Sequence, residues 1–104
     1  MDINELKKQS DKSYSIALAK QNELEKARSK MIMAYDGHLF LADETTINLV
    51  QTLKQHRDEF VVLDSNDNPA LIKDPSNFLD RLITKNQEVL NSYLQAHKKF
   101  TERN

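Results

Sequence analysis

The apolar positions of this chain change period twice, and each change marks a boundary between elements. From residue 2 to about 34 there is no Gly or Pro, and Lys, Glu, Gln, Ala and Leu dominate, which predicts one long helix. Steps of alternating three and four give Ile3, Leu6, Ser10, Ser13, Ala17, Lys20, Leu24, Ala27, Met31 and Ala34, and seven of these ten are apolar. A seam that narrow is a weak heptad, suited to packing against one other helix as in a coiled coil. Tyr14, Ile16 and Leu18 fall off the seam and suggest a second contact surface. Two roles stay open for this segment. It is either an arm that docks on another subunit or the first helix of a hairpin made with the chain's last helix.

Near Tyr35 the helical period stops. Gly37, the only glycine, is expected to take the positive φ that closes a turn after Asp36. Residues 38–42 then read as a short strand, with alternating faces or with burial on both. Asp43 is placed to cap a following helix and Glu44 to complement its positive end. Ile47, Val50 and Leu53 share a face of that helix, which should run to His56 or Arg57. The dense run Phe60-Val61-Val62-Leu63 reads as a strand, residues 65–69 as a turn, and Ala70-Leu71-Ile72 as the returning strand of a hairpin. Asp74 and Pro75 then make a strong helix start, with Asp74 as cap and Pro75 at the first helical position, where a missing N–H is free. Phe78, Leu82, Val89, Tyr93, His97 and Phe100 recur at helical spacing as a wide apolar stripe.

The expected fold is therefore α+β and mostly helical. It has two long helices packed together, one short middle helix and a small antiparallel sheet of two to three strands. The division expected is an N-terminal helical arm over residues 1–34 and a small α+β domain with a long C-terminal helix over residues 35–104.

Composition narrows the function classes. The chain has 104 residues, 38% of them apolar and 30% charged, so its core is thin. It has no Cys, which excludes disulfides and thiolate metal ligands. The apolar runs are far too short to span a membrane, and the acidic, polar N-terminus is unlike a secretory signal. No membrane partner is expected. The net charge of −1 conceals a polarity: +2 over residues 1–34, −5 over residues 35–74 and +2 over residues 75–104. Such a distribution favours self-complementary or head-to-tail contacts, although a solvated surface with ordinary scatter would also show it.

Little in the sequence carries bond-making chemistry. His38, His56 and His97 form no pair at metal-binding spacing. Asp43 and Glu44 are explained by a helix start rather than by paired acid–base work. The oxygen-rich run from Asp64 to Asn68 invites a calcium reading but lacks the internal Gly and terminal Glu of an EF-hand loop, so a hairpin turn accounts for it. There is no phosphate loop and no nucleophile elbow. The basic residues of the first helix are interrupted by acids, so nucleic acid is not expected as a partner. No enzyme, cofactor or metal is expected.

One stretch resembles a known family. Tyr35-Asp36-Gly37, an apolar pair including Phe40, then Ala42-Asp43-Glu44 and a Ser/Thr position followed by Ile47 are similar to a family of small phage domains of unknown function. These domains occur in tail-fibre-associated and other tail proteins of bacteriophages and prophages. The family pattern continues with a helix and a strand ending near Asp-Asn-X-Pro, which Asp67-Asn68-Pro69 matches loosely. A short strand and a long helix then close the domain, as Leu71 to Phe100 would. The likeness covers about residues 27 to 100. Where the family often has a Trp before the Asp-Asn turn, this chain has Val62-Leu63. The family carries no catalytic residues.

The resemblance implies a virion structural protein of the tail or fibre attachment, located in the virion and in the host cytoplasm during assembly. Its partners would be other phage virion proteins, in a homo-oligomer or hetero-oligomer formed through the N-terminal helix. The partner-binding residues expected are Ile3, Leu6, Ala17, Leu24, Ala27 and Met31. The alternatives are a tail or fibre assembly chaperone and a small host-directed regulator.

Overall fold

The computed structural model describes residues 3–101, and the side-chain packing of residues 11–99. In chain order the elements are helix α1 (Ile3–Ser29), strands β1 (Ile32–Tyr35) and β2 (His38–Leu41), helix α2 (Glu44–His56), strands β3 (Phe60–Leu63) and β4 (Pro69–Ile72), and helix α3 (Pro75–Thr101). The class is α+β and mostly helical. The two long helices, α1 and α3, pack on each other.

Two expectations are corrected. The first helix stops at Ser29 rather than near residue 34. Its last turn tightens, with Lys30 and Met31 N–H donating to the carbonyls of Ala27 and Arg28. Residues 32–35 are a strand instead. The single small sheet is replaced by two separate two-stranded antiparallel sheets, β1–β2 and β3–β4.

The reason lies in the first turn. Tyr35 pairs with His38, leaving Asp36 and Gly37 as a two-residue loop with φ of 49° and 79°. Positive φ at both central residues matches the type I′ turn, whose twist suits a tight hairpin. Such a turn needs a strand on each side. Met33 therefore pairs with Phe40 and Ile32 with Leu41, and the Ala42 N–H closes the hairpin on the Met31 carbonyl. The second hairpin is closed by Leu63 pairing with Pro69 around a longer loop, in which Asp67 takes φ of 62°.

Both hairpins turn one face onto the same core. Met33 and Phe40 enter it from the first, and Phe60, Val62, Ala70 and Ile72 from the second. Val50 enters from α2, and Phe78, Leu79 and Leu82 from α3. The Phe78 ring lies 4.8 Å from both Tyr35 and Phe40, tilted to the first and edge-on to the second, arrangements that aromatic quadrupoles favour. A second, smaller cluster joins Ala27 and Met31 of the α1 end to Val89, Leu90 and Tyr93 of α3. Outside the core faces, Ile32, Leu39 and Leu41 of the first hairpin and Val61, Leu63 and Leu71 of the second are exposed.

Two substitutions test this account. Phe78→Ala should cost about 3–5 kcal/mol in urea unfolding, because it empties a fully buried ring site shared by three elements. Gly37→Ala should cost about 1–2 kcal/mol through backbone conformation alone, since no atom stands within 4 Å of where the new Cβ would sit.

Candidate functional site

The residues expected to bind a partner divide along α1. Ala27 and Met31 are buried within the chain against Val89, Leu90 and Tyr93. Leu24 is half-buried and Ala17 exposed. The side chains of Ile3 and Leu6 lie outside the described residues. Of the off-seam residues, Tyr14 is 70% exposed and Leu18 is also exposed, while Ile16 is half-buried.

The pairing of α1 with α3 is antiparallel. Lys30 lies beside Lys85 and Glu88, and Glu23 beside Ser92 and Tyr93. Continued at one residue per residue, that register sets Thr101 opposite about residue 15 of α1. Ahead of it, residues 11–15 are all exposed. The trailing end of α1 thus packs on α3, and its leading part runs past the described end of α3.

A groove of ≈ 470 Å³ opens between α1, α3 and the start of α2. Leu24, Met31 and Leu90 form its apolar walls, Leu41 adds the outer side of β2, and Arg28 and Glu44 stand at its polar side. Beside it the buried Asn86 donates from Nδ2 to the Ala42 carbonyl at 2.9 Å. That bond ties the end of the first hairpin to α3. Arg81 does the same at the other end, with its guanidinium 5.5 Å over the Tyr35 ring and a bond of 3.3 Å to the Ala34 carbonyl.

The polar contact between the two hairpins runs through Asp64. His38 Nδ1 and Asp64 Oδ2 are 2.7 Å apart, and Asp64 Oδ1 accepts the N–H groups of Asn66 and Asn68 at 2.9 Å each. The Ser65 N–H donates to the Leu39 carbonyl at 2.7 Å, a second link between the hairpins. The Asp64 carboxylate thus shapes its turn through Oδ1 and holds the first hairpin through Oδ2. Among the described residues no group of three His, Asp or Glu is placed to hold a metal ion. The two helix starts are built locally as well. Asp43 Oδ1 accepts from the Thr46 N–H at 2.9 Å, and Asp74 Oδ1 from Asn77 at 3.2 Å ahead of Pro75. The His97 ring lies 5.8 Å from that of Tyr93, tilted by 39°, and among the described residues its Nδ1 has no hydrogen-bond partner. No described helix is long and apolar enough to cross a membrane.

Sequence reasoning missed the exposed apolar faces of the hairpins and the roles of Asn86 and Asp64. The first had a visible signal. Runs such as Phe60-Val61-Val62-Leu63 contain no polar alternation, the mark of a strand apolar on both faces. The His38–Asp64 pair spans 26 positions and has no local signature.

Compared with known proteins, the chain matches no family model, no curated protein and no solved structure.

The Asp64 carboxyl is held below its ordinary value of 3.8, first by the His38 hydrogen bond and then by the Asn68 N–H, with burial opposing. A carboxyl depressed in the folded state stabilises the fold above its unfolded value, and that contribution is lost as pH falls through the depressed value. Urea midpoints should hold near about pH 6 and drop in the acid range below about pH 4. Asp64→Asn, which cannot ionise, should flatten that acid limb. Superimposable curves for the two proteins would remove Asp64 from the acid response.

Proposed function

We propose that this chain is a structural subunit of a bacteriophage virion, in the tail or its fibre attachment, and that it works by docking rather than by catalysis. The observation that carries the docking reading is the split character of α1. Its last turns are locked into the chain by Ala27 and Met31, while further forward Tyr14 and Leu18 are in solvent and the segment before about residue 15 runs past the described end of α3. A helix anchored at its trailing end, with Tyr14 and Leu18 exposed further forward, suits a neighbouring subunit. The anchor packs on α3, whose first turns are buried in the core formed with both hairpins and α2. The phage assignment rests on the likeness of residues 35–47 to the tail-associated domain family. The expected partners are other virion proteins or further copies of this chain, and the expected location is the particle.

Mass spectrometry of purified particles from the virus that encodes the chain should detect it in the tail fraction. The full-length variant Tyr14→Asp with Leu18→Asp should be made at a normal level yet be depleted from particles by at least about tenfold, the loss expected of an interface anchor. Presence in infected cells with absence from finished particles would replace the structural role with the assembly chaperone. Undiminished incorporation of the variant would take the docking role away from α1.

A further inference from the structure

We propose that the leading half of α1 from one copy of this chain docks on the outer faces of the two hairpins of a second copy. The inference rests on the reading of α1 as a docking arm and adds the surface that receives it. The starting point is a mismatch between strands and surroundings. Along β1–β2 the cross-strand pair Ile32 and Leu41 faces away from the core, as does Leu39, with Leu41 at the edge of the groove beside the chain's own α1. Along β3–β4, Val61 pairs with Leu71 on the outer face, and Leu63 follows. Leu63 is 62% exposed and Val61 59%. A hairpin with one solvated face normally alternates apolar and polar residues; these strands have apolar side chains on both faces, as strands covered on both sides do. The core covers one face only. Exposed apolar surface gathered on neighbouring strands marks an interface.

Charge selects the occupant. The hairpins are rimmed by acids: Asp36 and Asp67 at the turns, Asp43 and Glu44 after β2, and Asp58 and Glu59 before β3. Lys73 is the one Lys or Arg in residues 35–43 and 58–74, and His38 is already paired with Asp64. Two copies meeting hairpin to hairpin would set these acid rims against each other. The leading part of α1 has the opposite character. Residues 7–20 contain Lys7, Lys8, Lys12 and Lys20 against Asp11 alone, and the exposed Tyr14 and Leu18 lie one helical turn apart.

The chain's own arm cannot reach its own hairpins. The 27 residues of α1 span about 40 Å and contain no Gly or Pro at which to fold back. The end of the helix nearest the hairpins is the one that packs at Met31. The leading half points away from them, so the arm that covers the hairpins comes from another copy.

Sedimentation velocity on the full-length protein tests this with two variants. The arm variant is Tyr14→Asp with Leu18→Asp, and the face variant is Val61→Thr, Leu63→Thr and Leu71→Thr. The wild type should self-associate, and added salt should weaken it. Each variant alone should sediment as a monomer with an unchanged thermal midpoint, since all five side chains are exposed. An equimolar mixture of the two should associate again, because it restores one intact arm and one intact face. A monomeric wild type at high concentration overturns the proposal while leaving arm docking on other virion proteins standing. Loss of association in the arm variant but not the face variant places the receiving surface elsewhere. Loss in the face variant alone means that hairpins pair directly. Monomeric variants that fail to complement each other also refute it.

Discussion

Phe78 is the residue on which the small domain turns. It sits one turn into α3, directly after the cap that Asp74 and Pro75 provide, and its ring meets Tyr35 and Phe40 at 4.8 Å each. Neither two-stranded hairpin could hold itself in water, because an isolated pair of four-residue strands buries too little. Each becomes stable by laying a face against the first turns of α3, with Val50 of α2 closing the remaining side. The cap, the stripe and the hairpins are thus one cooperative arrangement. Polar contacts then fix how the hairpins sit. Asn86 and Arg81 hold the first to α3, while His38–Asp64 and Ser65–Leu39 hold the second to the first.

This arrangement also explains what was legible in the sequence. The α3 start was readable because cap, Pro and apolar spacing coincide within a few residues. So was α2, from Asp43 and the Ile47–Val50–Leu53 face, and so was the β3–β4 hairpin. β1 was not, because Met31, Ile32, Met33 and Ala34 fit the end of a helix as well as a strand. The information that decides it sits downstream, in Asp36-Gly37. A type I′ turn requires a partner strand before it, and reading that turn as an entry to one strand left the hairpin half built. The side-chain groups that lock the hairpins together are the least legible. Asn86 carries no spacing signal that sets it apart from the other polar residues of α3, and Asp64 reads only as part of an oxygen-rich turn.

The candidate site was legible only as far as α1 was recognised as a seam. Ala27 and Met31 lie on that seam and are used inside the chain, so the seam alone does not separate packing from docking. Register separates them. With Lys30 beside Glu88, Thr101, the last described residue of α3, comes opposite about residue 15, and the described side chains ahead of that point, residues 11–15, are exposed. No periodicity argument supplies that endpoint, because it depends on where the other helix stops.

The proposed arm and the exposed apolar faces of the hairpins would together constrain assembly. If an arm on one copy fills a face on the next, the contact joins unlike surfaces. Such contacts either close, when two copies exchange arms, or continue as an open chain when they do not. An acidic face and a basic arm favour that unlike pairing over either surface meeting its own kind. The anchoring cluster at Ala27, Met31 and Val89 then takes on a second meaning. It fixes the direction in which the arm leaves the domain, and so the angle between successive copies. Under the proposed docking, the small cluster that looks like an appendix to the core is the part that would set assembly geometry.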